Sequence, residues 1–136
     1  MPFLFLLLRS AIPLYLFWNE TRKACPMLVL TATEKGWLDE YRAVLEKEFP
    51  GVVEQLLIFG SKARGTATED SDLDVLLILR EGDWRLKEAI TKPGYMLSIE
   101  TEVVPSFLVY TREEWEARRQ GQAPIWQTIT RDGVAV

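Results

Sequence analysis

The chain has 136 residues, of which 48% are hydrophobic and 26% charged, the composition of a globular protein with room for one domain. Its formal net charge of −4 excludes an overall basic field that would attract nucleic acid, so a polyanionic ligand would need local positive charge. The absence of histidine excludes a Ser-His triad, histidine metal ligands and a histidine general base. The lone Cys25 excludes an internal disulfide and favours a reducing, cytoplasmic location.

The first 26 residues form a separate apolar segment. Residues 3–18 are largely apolar, but Arg9 and Ser10 interrupt the run and Pro13 would break a helix. A membrane span needs about 20 apolar residues, and the segment lacks the basic start and the cleavage site of a signal peptide. An upstream extension, a membrane-associating segment and a signal peptide all stay open. We favour an extension, with Met27 as the natural start and residues 27–136 as the domain.

The first predicted helix ends at Pro50 and Gly51. From Trp37 to Phe49, apolar residues recur at steps of three and four, which indicates one buried helix face. Thr31 or Thr33 could cap its start.

Two segments, residues 52–59 and 73–79, follow and are predicted to be buried strands, because each contains an uninterrupted apolar run, at 56–59 and at 75–79. Residues 60–70 between them are predicted to be a loop with a short helix start. The remaining predicted elements are a helix over 84–90 capped by Asp83, a break at Pro93–Gly94, a resumed helix over 95–102, an edge strand over 103–110, a helix from 112 to 121 opened by the Thr111–Glu114 capping box, a short helix after Pro124 and a terminal strand over 134–136. Alternating strands and helices predict an α/β or α+β sheet flanked by helices.

The residues between the two strands carry the most informative chemistry. Gly60 lets backbone amides approach a phosphate closely, and Ser61 adds a hydroxyl donor. A helix that starts there would also direct free amides at an anion. Lys62 and Arg64 supply local positive charge, and arginine can bind phosphate through two parallel hydrogen bonds. Gly60, Ser61, Lys62 and Arg64 are therefore candidate nucleotide-binding residues.

A pair of aspartates opens the second apolar run. Asp72 and Asp74 are two residues apart, so in a strand both carboxylates point to the same side. Hard oxygen ligands suit Mg²⁺, and two such ions about 3.5–4 Å apart could stabilise the attacking and leaving oxygens of an in-line displacement. Each motif alone also fits ordinary turn chemistry. Their combination, with a basic loop between two strands, favours metal-assisted phosphoryl or nucleotidyl transfer.

On these residues the chain resembles the minimal nucleotidyltransferase family, within the DNA polymerase β-like superfamily. The family pattern is Gly-Ser, a spacer of about this length and Asp-x-Asp between apolar strands, here Gly60–Ser61 and Asp72–Asp74. The resemblance extends loosely over residues 27–136. It implies a mixed sheet with flanking helices, a nucleoside triphosphate (ATP is the expected one) and Mg²⁺ at the two aspartates. It also implies transfer of a nucleoside monophosphate to an acceptor hydroxyl on protein or RNA.

The same resemblance implies a protein partner. Many small proteins of this family are antitoxins that pair with a HEPN-type chain, and some adenylylate that partner.

A third carboxylate, which the family usually carries on a later strand, is not evident. The matching predicted strand over 103–110 contains no acid, and Ser106 lies near the expected place. If the strand began earlier, Glu100 or Glu102 could reach the site; otherwise they are surface acids at a helix end. We name Glu102 with Asp72 and Asp74 as the candidate catalytic set.

Three functions remain in competition: an enzyme, a catalytically weak module of the same fold that neutralises a partner by binding, and a membrane-attached protein. The first two rest on the residues of the domain, and the third rests on residues 3–18 alone.

Overall fold

A computed structural model describes residues 28–68 and 70–136 of the chain. The predictions for residues 1–26 and for a natural start at Met27 lie outside these ranges. Glu69 lies outside them as well. The elements in chain order are α1 (Ala32–Glu48), β1 (Val53–Phe59), α2 (Gly60–Arg64), β2 (Leu73–Leu79), α3 (Trp84–Thr101), β3 (Pro105–Thr111), α4 (Arg112–Gln120), α5 (Pro124–Asp132) and β4 (Val134–Ala135).

The strands form one mixed four-stranded sheet in the order β3-β2-β1-β4. Strand β1 is antiparallel to both β2 and β4, whereas β2 and β3 are parallel. Parallel neighbours require a crossover connection, and α3 supplies it. The predicted α/β class, a mixed sheet flanked by helices, is confirmed.

Helices cover both faces of the sheet, because alternate strand residues point to opposite sides. On one face, α1 and α3 bury the larger core around Trp37, Tyr41 and Ile90. On the other face, α4 and α5 cover a smaller core around Leu76, Ile78 and Ile129.

Helix α1 begins as the capping pattern requires, with Thr31 rather than Thr33 as its N-cap. The Thr31 hydroxyl accepts a hydrogen bond from the Glu34 amide at 3.1 Å, and the Thr31 amide donates to Glu34 Oε1 at 3.3 Å. Both bonds satisfy amides that the first helical turn leaves free.

The predicted break at Pro93–Gly94 is wrong, because α3 runs without interruption through Pro93. Proline lacks the amide of one helical hydrogen bond, but two side chains of α1 hold the helix on either side of it. The Tyr41 hydroxyl donates to the Ile90 carbonyl at 2.7 Å, and Trp37 Nε1 donates to the Gly94 carbonyl at 3.0 Å. Tertiary contacts, which local sequence patterns do not report, thus outweigh the proline.

No helix within residues 28–68 and 70–136 is both long enough and apolar enough to cross a membrane.

Candidate active site

The Gly-Ser turn and the two aspartates meet at one corner of the sheet. Phe59, the last residue of β1, lies opposite Asp74 in the antiparallel register with β2. Gly60 and Ser61 therefore leave β1 beside the point where the aspartates enter β2.

Gly60 makes the contact between these two segments possible. Its φ of +71° belongs to the left-handed region, where an L side chain is strained. A Cβ at this position would overlap Asp74 Oδ2 and lie 3.0 Å from Asp74 Cγ. The backbone of the turn thus lies directly against the carboxylate, and a larger residue would separate them.

Helix α2 presents free amides at this corner. Its N-cap, Phe59, makes no side-chain capping hydrogen bond, so the cap residue's side chain leaves the amides of the first turn unbonded. Gly65, at φ 74°, ends the helix after five residues. The turn formed by Gly60 and Ser61 can therefore bind an anion such as a phosphate.

The two aspartates place two negative charges close together, which Arg64 compensates only in part. Burial raises the pKa of Asp74, the nearby Asp72 carboxylate raises it further, and Arg64 partly opposes the change. Within residues 28–68 and 70–136, neither carboxylate is recorded in a hydrogen bond or ion pair. A bound cation would relieve this repulsion, and carboxylate oxygens are the ligands that Mg²⁺ prefers. Asp72 and Asp74 therefore fit a magnesium ion.

Arg64 is the basic side chain beside these carboxylates. Its Nη1 lies 3.6 Å from Asp132 Oδ2 at the end of α5, and its side chain remains 43% exposed. The same guanidinium partly opposes the rise in the pKa of Asp74, and it adds to the lowering of the Asp132 pKa that Arg131 chiefly causes. Arg64 is thus a partly exposed cation near the two aspartates and stays a candidate phosphate ligand.

Lys62, in contrast, is buried and paired with α1. Its Nζ donates to Glu34 Oε1 at 2.9 Å, and both side chains are only 8% exposed. The structure places this candidate phosphate ligand in a buried ion pair that fastens α2 to α1. Glu34 Oε2 is itself buried without a hydrogen-bond partner among the described residues, so Lys62 is the only recorded cation that compensates Glu34.

Among the described residues, no third acid joins the aspartates in a group that could hold a metal. Strand β3 begins at Pro105, and Ser106 lies in register with Asp74 on the adjacent parallel strand. Glu102 is the C-cap of α3 at φ 61°. It lines a cavity of about 500 Å³ with Lys62 and Asp70, to which neither Asp72 nor Asp74 contributes.

Sequence reasoning missed two acids that hold the site's basic residues. Glu34 is 28 residues from Lys62, and Asp132 is 68 residues from Arg64. The sequence signals at these positions, a capping box and an Asp-Gly turn, describe local backbone and not distant ion pairs.

Comparison with known protein families gives a match over more than half of the chain. The model of the nucleotidyltransferase domain family matches residues 38–123. A Methanocaldococcus jannaschii protein, named as a candidate protein adenylyltransferase, is 36% identical over 45 residues; these are 33% of this chain and 45% of the relative. The chain thus spans less than half the length of that curated relative. A crystal structure of a candidate nucleotidyltransferase from Sulfolobus solfataricus gives a TM-score of 0.44 at 21% identity, with 74% of this chain and 76% of that one covered.

Gly60→Ala should lower the free energy of unfolding by about 2–3 kcal/mol, since it combines left-handed strain with overlap at Asp74. Gly51→Ala is the matched control, with φ +73° and nothing within 4 Å of the added Cβ, and it should cost only about 1 kcal/mol. Urea unfolding at neutral pH measures both. Equal losses would show that the close approach to Asp74 is absent.

Lys62→Met should destabilise the protein by about 3–5 kcal/mol, because it leaves Glu34 charged and buried. The double variant Glu34→Gln/Lys62→Met should regain most of this loss. Urea unfolding without nucleotide is the measurement. A stable Lys62→Met single variant would mean that Lys62 does not fasten α2 to α1.

Asp74→Asn should stabilise the metal-free protein in a pH-dependent way. Because the pKa of Asp74 is raised in the folded state, ionisation of this carboxyl lowers stability as the pH rises above about 4, the ordinary aspartate range. The difference in unfolding free energy between the variant and the wild type should therefore grow as the pH rises above about 4 and level off above the folded-state pKa. Urea unfolding at a series of pH values from about 3 to 7 measures it. A difference that shrinks as the pH rises would contradict the assignment.

Proposed function

Because the chain belongs to the nucleotidyltransferase domain family, we propose that it transfers a nucleoside monophosphate from a nucleoside triphosphate, ATP, to an acceptor hydroxyl. One observation carries the proposal. The backbone of Gly60 lies against the Asp74 carboxylate, so amides suited to a phosphate and oxygens suited to a cation lie at one corner. Either group alone would bind an anion or a cation, and together they suit a metal-bound triphosphate.

The proposed reaction is an in-line displacement at the α-phosphorus. The acceptor oxygen forms a bond to that phosphorus, the bond from phosphorus to the bridging oxygen breaks, and pyrophosphate leaves. The acceptor proton passes to a carboxylate or to water, since the chain has no histidine. The turn amides and the Ser61 hydroxyl hold phosphate oxygens, while Arg64 orients the triphosphate by paired hydrogen bonds.

Asp72 and Asp74 would hold Mg²⁺, with one or two ions. When bound, magnesium neutralises the charge that develops on the phosphate oxygens. The two carboxylates leave room for phosphate oxygens and water in its coordination sphere, as magnesium sites in phosphoryl-transfer proteins commonly do.

We further propose that the acceptor is a hydroxyl on a HEPN-type partner protein in the cytoplasm. The resemblance to the minimal nucleotidyltransferases supports this, as does the relative named as a candidate protein adenylyltransferase.

Incubation with labelled ATP, Mg²⁺ and the product of the neighbouring gene tests the enzyme. Label should move to the partner, and Asp72→Asn or Asp74→Asn should reduce the rate by at least about 100-fold, since each removes a charged metal ligand. Asp39→Asn, exposed on α1, is the matched control and should keep full activity. Transfer that survives both site variants would refute the proposed chemistry.

A second function, neutralisation of a partner by binding alone, is favoured by Ser106. Its register with Asp74 puts an uncharged side chain beside the aspartates, and a site with fewer acidic ligands binds metal more weakly. Under this alternative, Asp72→Asn and Asp74→Asn would leave partner binding and neutralisation intact.

Ser106→Asp should increase the magnesium affinity of the candidate site. A carboxylate in register with Asp74 would add a third oxygen donor and should raise magnesium affinity by about tenfold or more. Magnesium titration followed by calorimetry, with transfer assayed in parallel, is the measurement. Ser106→Asn is the matched uncharged control. Unchanged magnesium affinity would show that position 106 does not face the metal site.

A further inference from the structure

Helix α3 carries a stripe of exposed apolar side chains on its outer side. Tyr95, Met96 and Ile99 are 46%, 56% and 76% exposed. Residues three and four apart share one helix face, so the three side chains form one surface. Apolar clusters of this kind mark association sites more often than single exposed residues do.

Beside this stripe, a shallow groove of about 460 Å³ runs between α1 and α3. Val44 of α1 lines one side, and Met96 and Leu97 of α3 line the other. The groove could receive an apolar side chain from a second helix laid along α3.

Opposite charges flank the stripe symmetrically. Lys92 lies four residues before Met96 and Glu100 lies four residues after it, and both line the groove. Neither is recorded in an ion pair within the part of the chain that the structure describes. If two copies of α3 cross antiparallel at Met96, the residue four positions before it on one helix faces the residue four positions after it on the other. Lys92 of each copy then faces Glu100 of the other.

We propose that this α3 surface, comprising Lys92, Tyr95, Met96, Ile99 and Glu100, pairs with the same surface of a second copy around a two-fold axis at Met96. Self-complementary charge is what an isologous interface requires. Glu48 and Glu88 also lie exposed near this surface. A single-helix contact is smaller than the standard interface, so the dimer is weak, with a dissociation constant on the order of micromolar or above.

The dimer leaves both candidate active sites accessible. Asp74 lies on the same side of β2 as Leu76 and Ile78, which belong to the core that α4 and α5 cover, whereas α3 packs on the other face. The inference therefore does not rest on the proposed function, and it can fail or succeed independently of transfer activity.

Sedimentation equilibrium of the full chain over a concentration series tests the proposal. The wild type should dimerise, and Ile99→Glu should weaken dimerisation by at least about tenfold. Trp84→Glu, which changes an exposed apolar residue at the start of the same helix, is the matched control and should have no effect. Because these side chains are exposed, circular dichroism should show every variant folded.

Charge exchange provides the sharper test. Lys92→Glu and Glu100→Lys should each weaken the dimer about tenfold. Either change gives positions 92 and 100 the same charge, so both facing pairs across the two-fold axis become repulsive. The double variant Lys92→Glu/Glu100→Lys should restore it, since opposite charges face each other again. A wild type that stays monomeric up to about 200 µM overturns the proposal. Dimerisation that is unchanged by Ile99→Glu also overturns it, since the contact would then lie elsewhere, for example at residues 3–18. A double variant that dimerises as weakly as the single variants overturns it too.

Discussion

The contact between the Gly60 backbone and the Asp74 carboxylate is the constraint on which the candidate site depends. Any side chain at position 60 would overlap the carboxylate, and the antiparallel register of β1 and β2 fixes where the two residues meet. Phosphate-binding amides and metal-binding oxygens need to lie within a few ångströms of each other to hold one triphosphate. A left-handed glycine at the end of a strand meets this need because it removes the only atom in the way.

The charges around this corner are arranged in opposition. Burial and, next to it, the Asp72 carboxylate raise the pKa of Asp74, and Arg64 partly opposes that rise. Arg64 also forms an ion pair with the distant Asp132. Lys62 is buried and forms an ion pair with Glu34. The raised pKa means that ionised Asp74 lowers folded-state stability when no cation is bound, a trade that functional sites often make. Ser106 stands in register with Asp74, near the position where the family pattern implies a third carboxylate.

The sheet separates two roles. One face carries the aspartates toward the α4 and α5 side, and the other carries α1 and α3, whose outer surface presents the apolar stripe. Because strand side chains alternate, a seven-residue strand such as β2 serves a site on one face and the main core on the other. Association through α3 therefore does not compete with substrate for the same surface.

The sequence by itself determined the strands, the capped helix starts, the α/β class and the pairing of a Gly-Ser turn with Asp-x-Asp, because short-range periodicity and turn chemistry encode these features. It did not determine the continuity of α3 through Pro93, which Trp37 and Tyr41 secure from another helix. Nor did it show that Lys62 pairs with Glu34, that Arg64 meets Asp132, or that Ser106 lies beside Asp74. Each of these depends on chain segments far apart in sequence. Only tertiary packing and strand register decide which of them touch.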